Sequence, residues 1–415
     1  MTEIQKLGAK AKAASRVLSV ASTHQKNAAL TKIREGIEAG REKIFAANAL
    51  DMENARKNGL KTAFQDRLLL TDARIDSIIT GITEVITLPD PIGEVISMST
   101  RPNGLTIGNR RVPLGVIGII FESRPNVTVD AAALCLKSGN VCILRGGKEA
   151  INSNLELVDI MQKALLEAGL AAACISLVTD TSRESATELM CLREYLDVLI
   201  PRGGAGLINA VVENAKVPVI ETGKGNCHIF VEATADLDMA VDIIENAKCS
   251  RPSVCNAAET LLVAESIAKE LLSKLEPVLI NRGVELRADE KALKILGKSA
   301  ISATEGDWET EYDDLILAIK VVSGIDEAID HIARYSTSHS EAIITRDYAV
   351  SQRFLNEIDS AAVYVNASTR FTDGGEFGLG AEIGISTQKM HTRGPMGLRE
   401  LTSNKFVIYG DGQIR

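Results

Sequence analysis

Residues 113–125 read Pro113-Leu-Gly-Val-Ile-Gly-Ile-Ile-Phe-Glu-Ser-Arg-Pro125. The stretch 116–120 has no polar side chain to face water, which is the pattern of a strand buried on both faces. Similar short apolar runs recur at 141–144, 175–178, 198–200 and 217–220, and stretches with helical spacing separate them at 154–168, 182–194 and 205–215. Alternation of continuous apolar strands with helices predicts a parallel sheet covered by helices. A second series of the same kind follows Glu221, with strands at 228–231, 261–263, 315–322, 342–344 and 362–365 and helices at 239–248, 266–275 and 326–333.

Outside the two series, apolar positions at helical spacing (Leu30, Ile33, Ile37, then Ile75, Ile78, Ile79, Ile82) predict a set of helices over residues 1–87. Two further strand-like stretches, 105–112 and 405–409, belong to neither series, and a Gly-rich segment spans 372–384.

At 415 residues the chain exceeds one ordinary core, and 45% hydrophobic with 24% charged residues describes a soluble globular class of two or three lobes. No apolar run approaches the roughly 20 residues that span a bilayer, and the polar start lacks a signal-peptide profile. A cytoplasmic location without membrane partners is expected. Seven cysteines without Cys-x-x-Cys spacing argue for reduced thiols and against a disulfide framework or a zinc site. The sequons at Asn126 and Asn366 then carry no consequence. A net charge of -9 argues against nucleic-acid binding. The segment 101–150 reverses the sign: Arg101, Arg110, Arg111, Arg124, Lys137, Arg145 and Lys148 oppose Glu122, Asp130 and Glu149, seven against three. An anionic ligand is admissible there.

Two short motifs fail. The glycines at 378, 380 and 384 have the wrong spacing for a dinucleotide turn, and Gly146-Gly147-Lys148 continues with Glu149 instead of the Ser or Thr of a phosphate-binding loop. His331 and His339 lack an acidic cluster at metal spacing, so structural or substrate hydrogen bonding is expected of them and no metal is assigned. Cys255, in Ser250-Arg-Pro-Ser-Val-Cys-Asn256, reads as a nucleophile if its thiol pKa, about 8.5 in isolation, is lowered by Arg251 and turn amides, and as a buried structural thiol otherwise.

Taken in order, 113–125, then Ser138-Gly-Asn-Val-Cys-Ile-Leu-Arg-Gly-Gly-Lys148, Glu221-Thr-Gly-Lys-Gly225 and Cys255 resemble the aldehyde dehydrogenase superfamily, including the 34-residue separation of Glu221 from Cys255. Segments 117–126, 328–341 and 377–395, with Gly397-Leu-Arg-Glu-Leu-Thr-Ser403 behind them, are similar to the branch of that superfamily that acts on L-glutamyl 5-phosphate. The resemblance implies an α/β fold, aldehyde dehydrogenase-like, of two parallel-sheet domains plus a β-strand oligomerisation arm. The cofactor-binding domain is then 1–100 and 113–225 with the N-terminal helices, the catalytic domain 226–385, the arm 101–112 and 401–415, and 386–400 a return segment.

The implied reaction is NADPH-dependent reduction of L-glutamyl 5-phosphate to L-glutamate 5-semialdehyde through a cysteine thioacyl intermediate, with release of phosphate, in proline biosynthesis. A less specific reading is another acylating NAD(P)-dependent dehydrogenase of a small anionic aldehyde or acyl phosphate. No amino-acid kinase region precedes the motifs, so a separate glutamate 5-kinase is the expected supplier of substrate, and a homodimer or larger even oligomer is the expected assembly. By resemblance, Cys255 is the nucleophile and Glu221 either relays protons or hydrogen-bonds the site, a salt bridge to Lys224 being the other reading. The oxyanion donors are the Cys255 main-chain N–H plus Ser123 or Asn126. Arg145 and Lys148 favour the extra phosphate of NADP, with Gly203, Gly204 and Gly223 at the cofactor. Arg124, Arg251, His339 and Arg393 are candidates for the anionic substrate, since Glu122-Ser123-Arg124 replaces the Pro-Trp-Asn of ordinary members.

Overall fold

The computed structural model describes residues 1–415 apart from the side chains of residues 62, 63 and 205. The chain divides into two units, Met1–Thr222 with Gly378–Gly384 and Met396–Arg415, and Gly223–Phe377 with Ile385–Pro395. Among the described residues no helix is long and apolar enough to cross a membrane.

Five helices open the first unit: α1 (Glu3–Leu18), α2 (Thr23–Ala39), α3 (Arg41–Lys57), α4 (Thr62–Leu68) and α5 (Asp72–Thr87). Thr2 and Ser22 start α1 and α2 with reciprocal capping boxes, each hydroxyl accepting the N–H of a Gln three residues on whose side chain returns to the cap. Then come β1 (Val95–Thr100), β2 (Thr106–Pro113), β3 (Val116–Phe121), α6 (Pro125–Lys137), β4 (Val141–Arg145), α7 (Ile151–Glu167), β5 (Ile175–Leu177), α8 (Arg183–Met190), β6 (Val198–Arg202) and α9 (Ala205–Asn214).

Strands pair in parallel in the order β5-β4-β3-β6. Every residue of β3 is buried, as its composition requires. From β3 the chain moves outward through β4 to β5 and then returns to the other side as β6, so the order reverses between β3 and β6; their carboxyl ends bound the crevice where open α/β sheets take ligands. Two expectations fail here. The helix expected at 182–194 is confined to α8, and 217–220 is no regular strand: Pro218 has no N–H to give, leaving an isolated bridge between Leu199 and Val219.

The second unit runs β7 (Cys227–Val231), α10 (Leu237–Cys249), β8 (Ala258–Ala264), α11 (Ala268–Asn281), β9 (Glu285–Ala288), α12 (Glu290–Leu296), β10 (Ala300–Ser302), β11 (Ile316–Val322), α13 (Ile325–Tyr335), β12 (Ser340–Ile344), α14 (Tyr348–Glu357) and β13 (Ala362–Val365). Its seven strands lie in the order β10-β9-β11-β8-β7-β12-β13, all parallel. Successive side chains enter opposite faces. Ile229, Leu261 and Ile319 meet Ile244 and Leu271, while Phe230, Leu262 and Ile343 meet Ile332 and Phe354. Each such side chain contributes on the order of 1.5–3 kcal/mol by burial.

The remaining strands are β14 (Ile385–Ser386), antiparallel to β15 (Gly394–Pro395), and β16 (Thr402–Tyr409), which joins the antiparallel sheet β1-β2-β16. The division of the chain differs from the expected 225/226 and 385/386 boundaries, and main-chain pairing is the reason. Gly223 N donates to Ile385 O at 2.9 Å, while Ile383 N donates to Met396 O at 2.9 Å and Met396 N to Gly384 O at 2.8 Å. Residues 378–384 therefore belong with the first unit, and 223–225 with the second.

Candidate active site

In the second unit, α10 ends at Cys249 because Pro252 disfavours a helical conformation at Arg251. The chain turns through Ser253, Val254 and Cys255 before entering β8, and Cys255 is half-buried at the amino-terminal end of that strand. Asn256 fixes the turn. Its Nδ2 donates to Arg370 O (3.2 Å) and Thr372 O (3.0 Å), its main-chain oxygen accepts from Thr369 Oγ1 (2.7 Å), and its Oδ1 accepts from Arg370 Nη1. Arg370 Nε also donates to Ser250 Oγ at 3.1 Å. The residues after β13 thus grip the turn on both sides of Cys255.

The other side of the turn meets the entry to β7. A Cβ on Gly225 would fall into the Cys255 carbonyl, and the Gly225 N–H donates to Glu311 Oε1 at 2.9 Å. Cys227 Sγ donates to Cys255 O at 3.2 Å and lies 3.8 Å from His339 Nδ1, which in turn meets Ser340 Oγ at 2.8 Å. From Ser340 the polar chain continues through Thr372 Oγ1 to Tyr364 OH, each step 2.7 Å. Burial, reinforced by Glu341, holds the Cys227 thiol well above the usual thiol range. Burial also raises the Cys249 thiol, and pushes Cys174 up to about 11.

His339 is fully buried and burial lowers it to about 4, so it is neutral near pH 7. That removes it as a cationic contact for a substrate anion. Arg393 is likewise committed, with Nη1 to Asp359 Oδ1 at 2.7 Å and Nη2 to Asp359 O at 2.5 Å. Arg251 is exposed.

In the first unit, β3 runs into Glu122-Ser123-Arg124, and Pro125 starts α6 with its fixed φ. Ser123 is buried, and both its N–H (2.8 Å) and its hydroxyl (2.7 Å) donate to Glu149 Oε1. Its one proton is therefore spent, which opposes an oxyanion role. Asn126 Nδ2 donates to Asp130 at 2.9 Å; burial pushes Asp130 up to about 6, with Asn126 and Arg202 pulling it down. Arg124, half-buried, is the N-cap residue of α6.

Arg145 ends β4 but turns its Nη2 to the carbonyls of Thr181 (2.8 Å) and Ser182 (3.0 Å), anchoring the approach to α8. Lys148 is exposed. Gly203 and Gly204 are exposed at the start of α9, in the crevice where the strand order reverses. The Gly204 amide already donates to Glu122 Oε2 at 2.8 Å, and a Cβ at Gly203 would strike the same carboxylate at 2.5 Å. Glu122 thus lies at the positive end of α9, beside the two glycines expected at the cofactor. The local basic excess is also no patch, since Lys137 is buried, donating to Asn27 Oδ1 (2.7 Å) and Ile86 O (2.8 Å), and Arg111 pairs with Glu94 at 3.1 Å.

Glu221 is half-buried. Gly223 has its N–H on Ile385 O and leaves no room for a side chain against Thr387, so close packing requires a glycine there. Sequence reasoning gave Asn256 and Arg370 no role and weighed Glu122 and Glu149 only as local charges or as part of the Glu122-Ser123-Arg124 replacement, without the bonds they make to Gly204 and Ser123. Among the described residues no group of His, Cys, Asp and Glu is placed to hold a metal ion.

A profile of the aldehyde dehydrogenase family matches residues 1–285. The gamma-glutamyl phosphate reductase of Enterococcus faecalis is 60% identical over 415 residues, covering 100% of this chain and 99% of that one. The crystal structure of gamma-glutamyl phosphate reductase from Thermotoga maritima has a TM-score of 0.97 at 53% identity, covering both chains fully. An acetylating aldehyde dehydrogenase from Geobacillus thermoglucosidasius, at 19% identity and a TM-score of 0.70 over 100% of this chain and 97% of that one, shares the fold. The chain belongs to the aldehyde dehydrogenase family, and within it to the gamma-glutamyl phosphate reductases.

Proposed function

We propose that the protein reduces L-glutamyl 5-phosphate to L-glutamate 5-semialdehyde with NADPH and releases phosphate, on the route from glutamate to proline. A separate glutamate 5-kinase would supply the acyl phosphate. The observation that carries this reading is Cys255: of the three half-buried cysteines, Cys191 follows α8, Cys249 ends α10, and Cys255 lies in the turn gripped from both sides, while Cys135, Cys142, Cys174 and Cys227 are buried.

The Cys255 thiolate attacks the acyl carbon, a C–S bond forms and the carbonyl electrons move to oxygen. Collapse of this oxyanion breaks the bond to the phosphate oxygen, and phosphate leaves with the electron pair. Phosphate is a good leaving group, so no strong general acid is needed. The donors proposed for the oxyanion are the Cys255 main-chain N–H and the Asn126 amide, because the Ser123 proton is held by Glu149. Glu221 is assigned the proton-relay or hydrogen-bonding role, since activating water would waste the thioester.

Family membership implies a nicotinamide cofactor, which when bound supplies the hydride that reduces the thioacyl group. The reversal of strand order between β3 and β6 fits such a ligand, and Gly203 and Gly204, exposed at that crevice, would meet it only if it displaces the Glu122 carboxylate from the Gly204 amide. Lys148 is the residue proposed for the 2′-phosphate of NADP, and Arg145 is withdrawn from that role by its carbonyl partners.

The test is reduction of NADP followed in the reverse direction with glutamate semialdehyde and phosphate. Turnover should require phosphate, vanish in Cys255→Ala and persist in Cys249→Ala. A dead Cys249→Ala beside an active Cys255→Ala would overturn the assignment of the nucleophile.

A further inference from the structure

Arg370 stands out among the charged groups around Cys255. Its guanidinium bonds are to the neutral oxygens of Ser250 and Asn256, five residues before and one residue after the thiol, and its own carbonyl accepts from Asn256 in return. Among the described residues it forms no ion pair, and the nearby cation Arg251 adds repulsion. A partly buried charge is ordinarily paired. Asp373, the acid that acts on Arg370 electrostatically, is exposed and spends Oδ1 on the Gly375 N–H at 2.8 Å. A half-buried guanidinium whose side-chain partners are neutral oxygens on either side of a thiol is an arrangement that an anion completes. Burial depresses the Arg370 pKa, Arg251 depresses it further, and the Cys255 thiolate opposes both, so the guanidinium and the sulfur sense one another.

We propose that Arg370 is the cation of the Cys255 site, holding the thiolate before attack and taking the phosphoryl group as it departs. The second half rests on the acyl-phosphate reading above; the first does not. A guanidinium suits both duties, because it stays charged throughout and offers five donors in a plane, of which Nε and one Nη1 hydrogen are used by the turn. As the bond between the acyl carbon and phosphate oxygen breaks, charge grows on phosphate and no proton need be transferred. When phosphate leaves, Arg370 is ready to hold the thiolate again at the end of the cycle.

The experiment follows iodoacetamide alkylation of Cys255 by peptide mass spectrometry, against pH, with neither substrate nor cofactor present. Arg370→Gln should move the alkylation midpoint upward by about one pH unit, slowing the reaction at neutral pH about tenfold. Arg370→Lys keeps the charge but loses the fork that holds Ser250 and Asn256, so its midpoint should fall between those of wild type and Arg370→Gln. Lys389→Gln, which removes a cation paired with Asp359 in the same unit, should leave the profile unmoved. An unmoved profile in Arg370→Gln would reduce Arg370 to a brace for the turn. In the wild-type protein inorganic phosphate should slow alkylation saturably where chloride at equal ionic strength does not, and this needs no variant to fold. Absence of phosphate protection overturns the phosphate duty. Failure of the reverse assay in wild type would count against the acyl-phosphate reading while the alkylation profile still decides the thiolate.

Discussion

The α-carbon of Gly225 lies against the main-chain carbonyl of Cys255, so closely that any side chain at 225 would overlap it. Backbone cannot swing aside as the end of a long side chain can. Gly225→Ala must therefore displace the Cys255 turn or the entry to β7, where Cys227 and Asn226 are buried. Turnover should fall at least about a hundredfold, with a loss of about 1–3 kcal/mol from overpacking. Gly81→Ala is the comparison. Gly81 lies within α5 with nothing near its missing Cβ, so that variant should keep full activity and gain roughly 0.5–1 kcal/mol. Steady-state rates and urea denaturation decide; equal activity in both variants would show that the contact does not set the position of Cys255.

Arg145 and Lys148 differ in what the fold does with their charge: Arg145 donates to two main-chain carbonyls, and Lys148 is exposed. Lys148→Glu removes an exposed positive charge after β4 and adds a negative one. The NADPH-to-NADH ratio of kcat/KM should fall about tenfold or more, the scale of a charge-assisted hydrogen bond. Arg145→Ala should leave that ratio within about threefold and lower thermal stability instead, because the carbonyls of Thr181 and Ser182 lose their donor. An unchanged ratio in Lys148→Glu would move the 2′-phosphate elsewhere.

These cases show how much the chain disclosed by itself. Runs such as 116–120 and 261–263 were legible because a strand buried on both faces leaves no room for polar residues. Strands β1, β9 and β10 were not: β1 is exposed throughout, and β9 and β10 are four and three residues long with polar side chains among them. The position of Cys255 could be read from spacing, whereas Arg370 could not, since it reaches Asn256 across 114 residues of sequence. Arg145, His339 and Arg393 read as ligand contacts from their residue types alone, whereas the partners that the fold gives them, the Thr181 carbonyl, the Ser340 hydroxyl and Asp359, lie far off in sequence or were not legible in it.

His339 makes stability depend on pH with a sign fixed by burial. Its pKa falls from the ordinary 6.5 to about 4 in the fold, so between these values the unfolded chain takes up a proton that the folded chain refuses. Its contribution is whole above about pH 6.5 and is lost progressively as pH falls toward 4. His339→Gln should be less stable at pH 7, through loss of the contact with Ser340, yet decline more slowly on acidification. The slope within the window should differ by up to about 1.4 kcal/mol per pH unit. Urea denaturation from pH 4.5 to 7.5 provides the comparison; parallel curves would mean that His339 is protonated in the fold.

The sheet β1-β2-β16 leads to a prediction of assembly. Strand β16 pairs with β2 over eight residues, from Thr402 opposite Pro113 to Tyr409 opposite Thr106. Val95, Ile96 and Met98 on β1 and Phe406, Ile408 and Tyr409 on β16 are exposed. Long apolar edges of this kind invite pairing with other chains and persist in a soluble protein where a partner covers them. A homodimer or a larger even oligomer built through this sheet is expected, two-fold pairing being the commonest way to close such a surface. Deleting 401–415 should abolish assembly or cause aggregation, but Leu401 and Thr402 are buried, so that deletion also opens the core. Phe406→Asp with Ile408→Asp is the cleaner test, because both side chains are exposed and lie on one face of β16. Sedimentation at micromolar concentration should show the wild type as an even oligomer and the double variant as a folded monomer. A monomeric wild type, or a double variant that assembles unchanged, would assign the sheet another purpose.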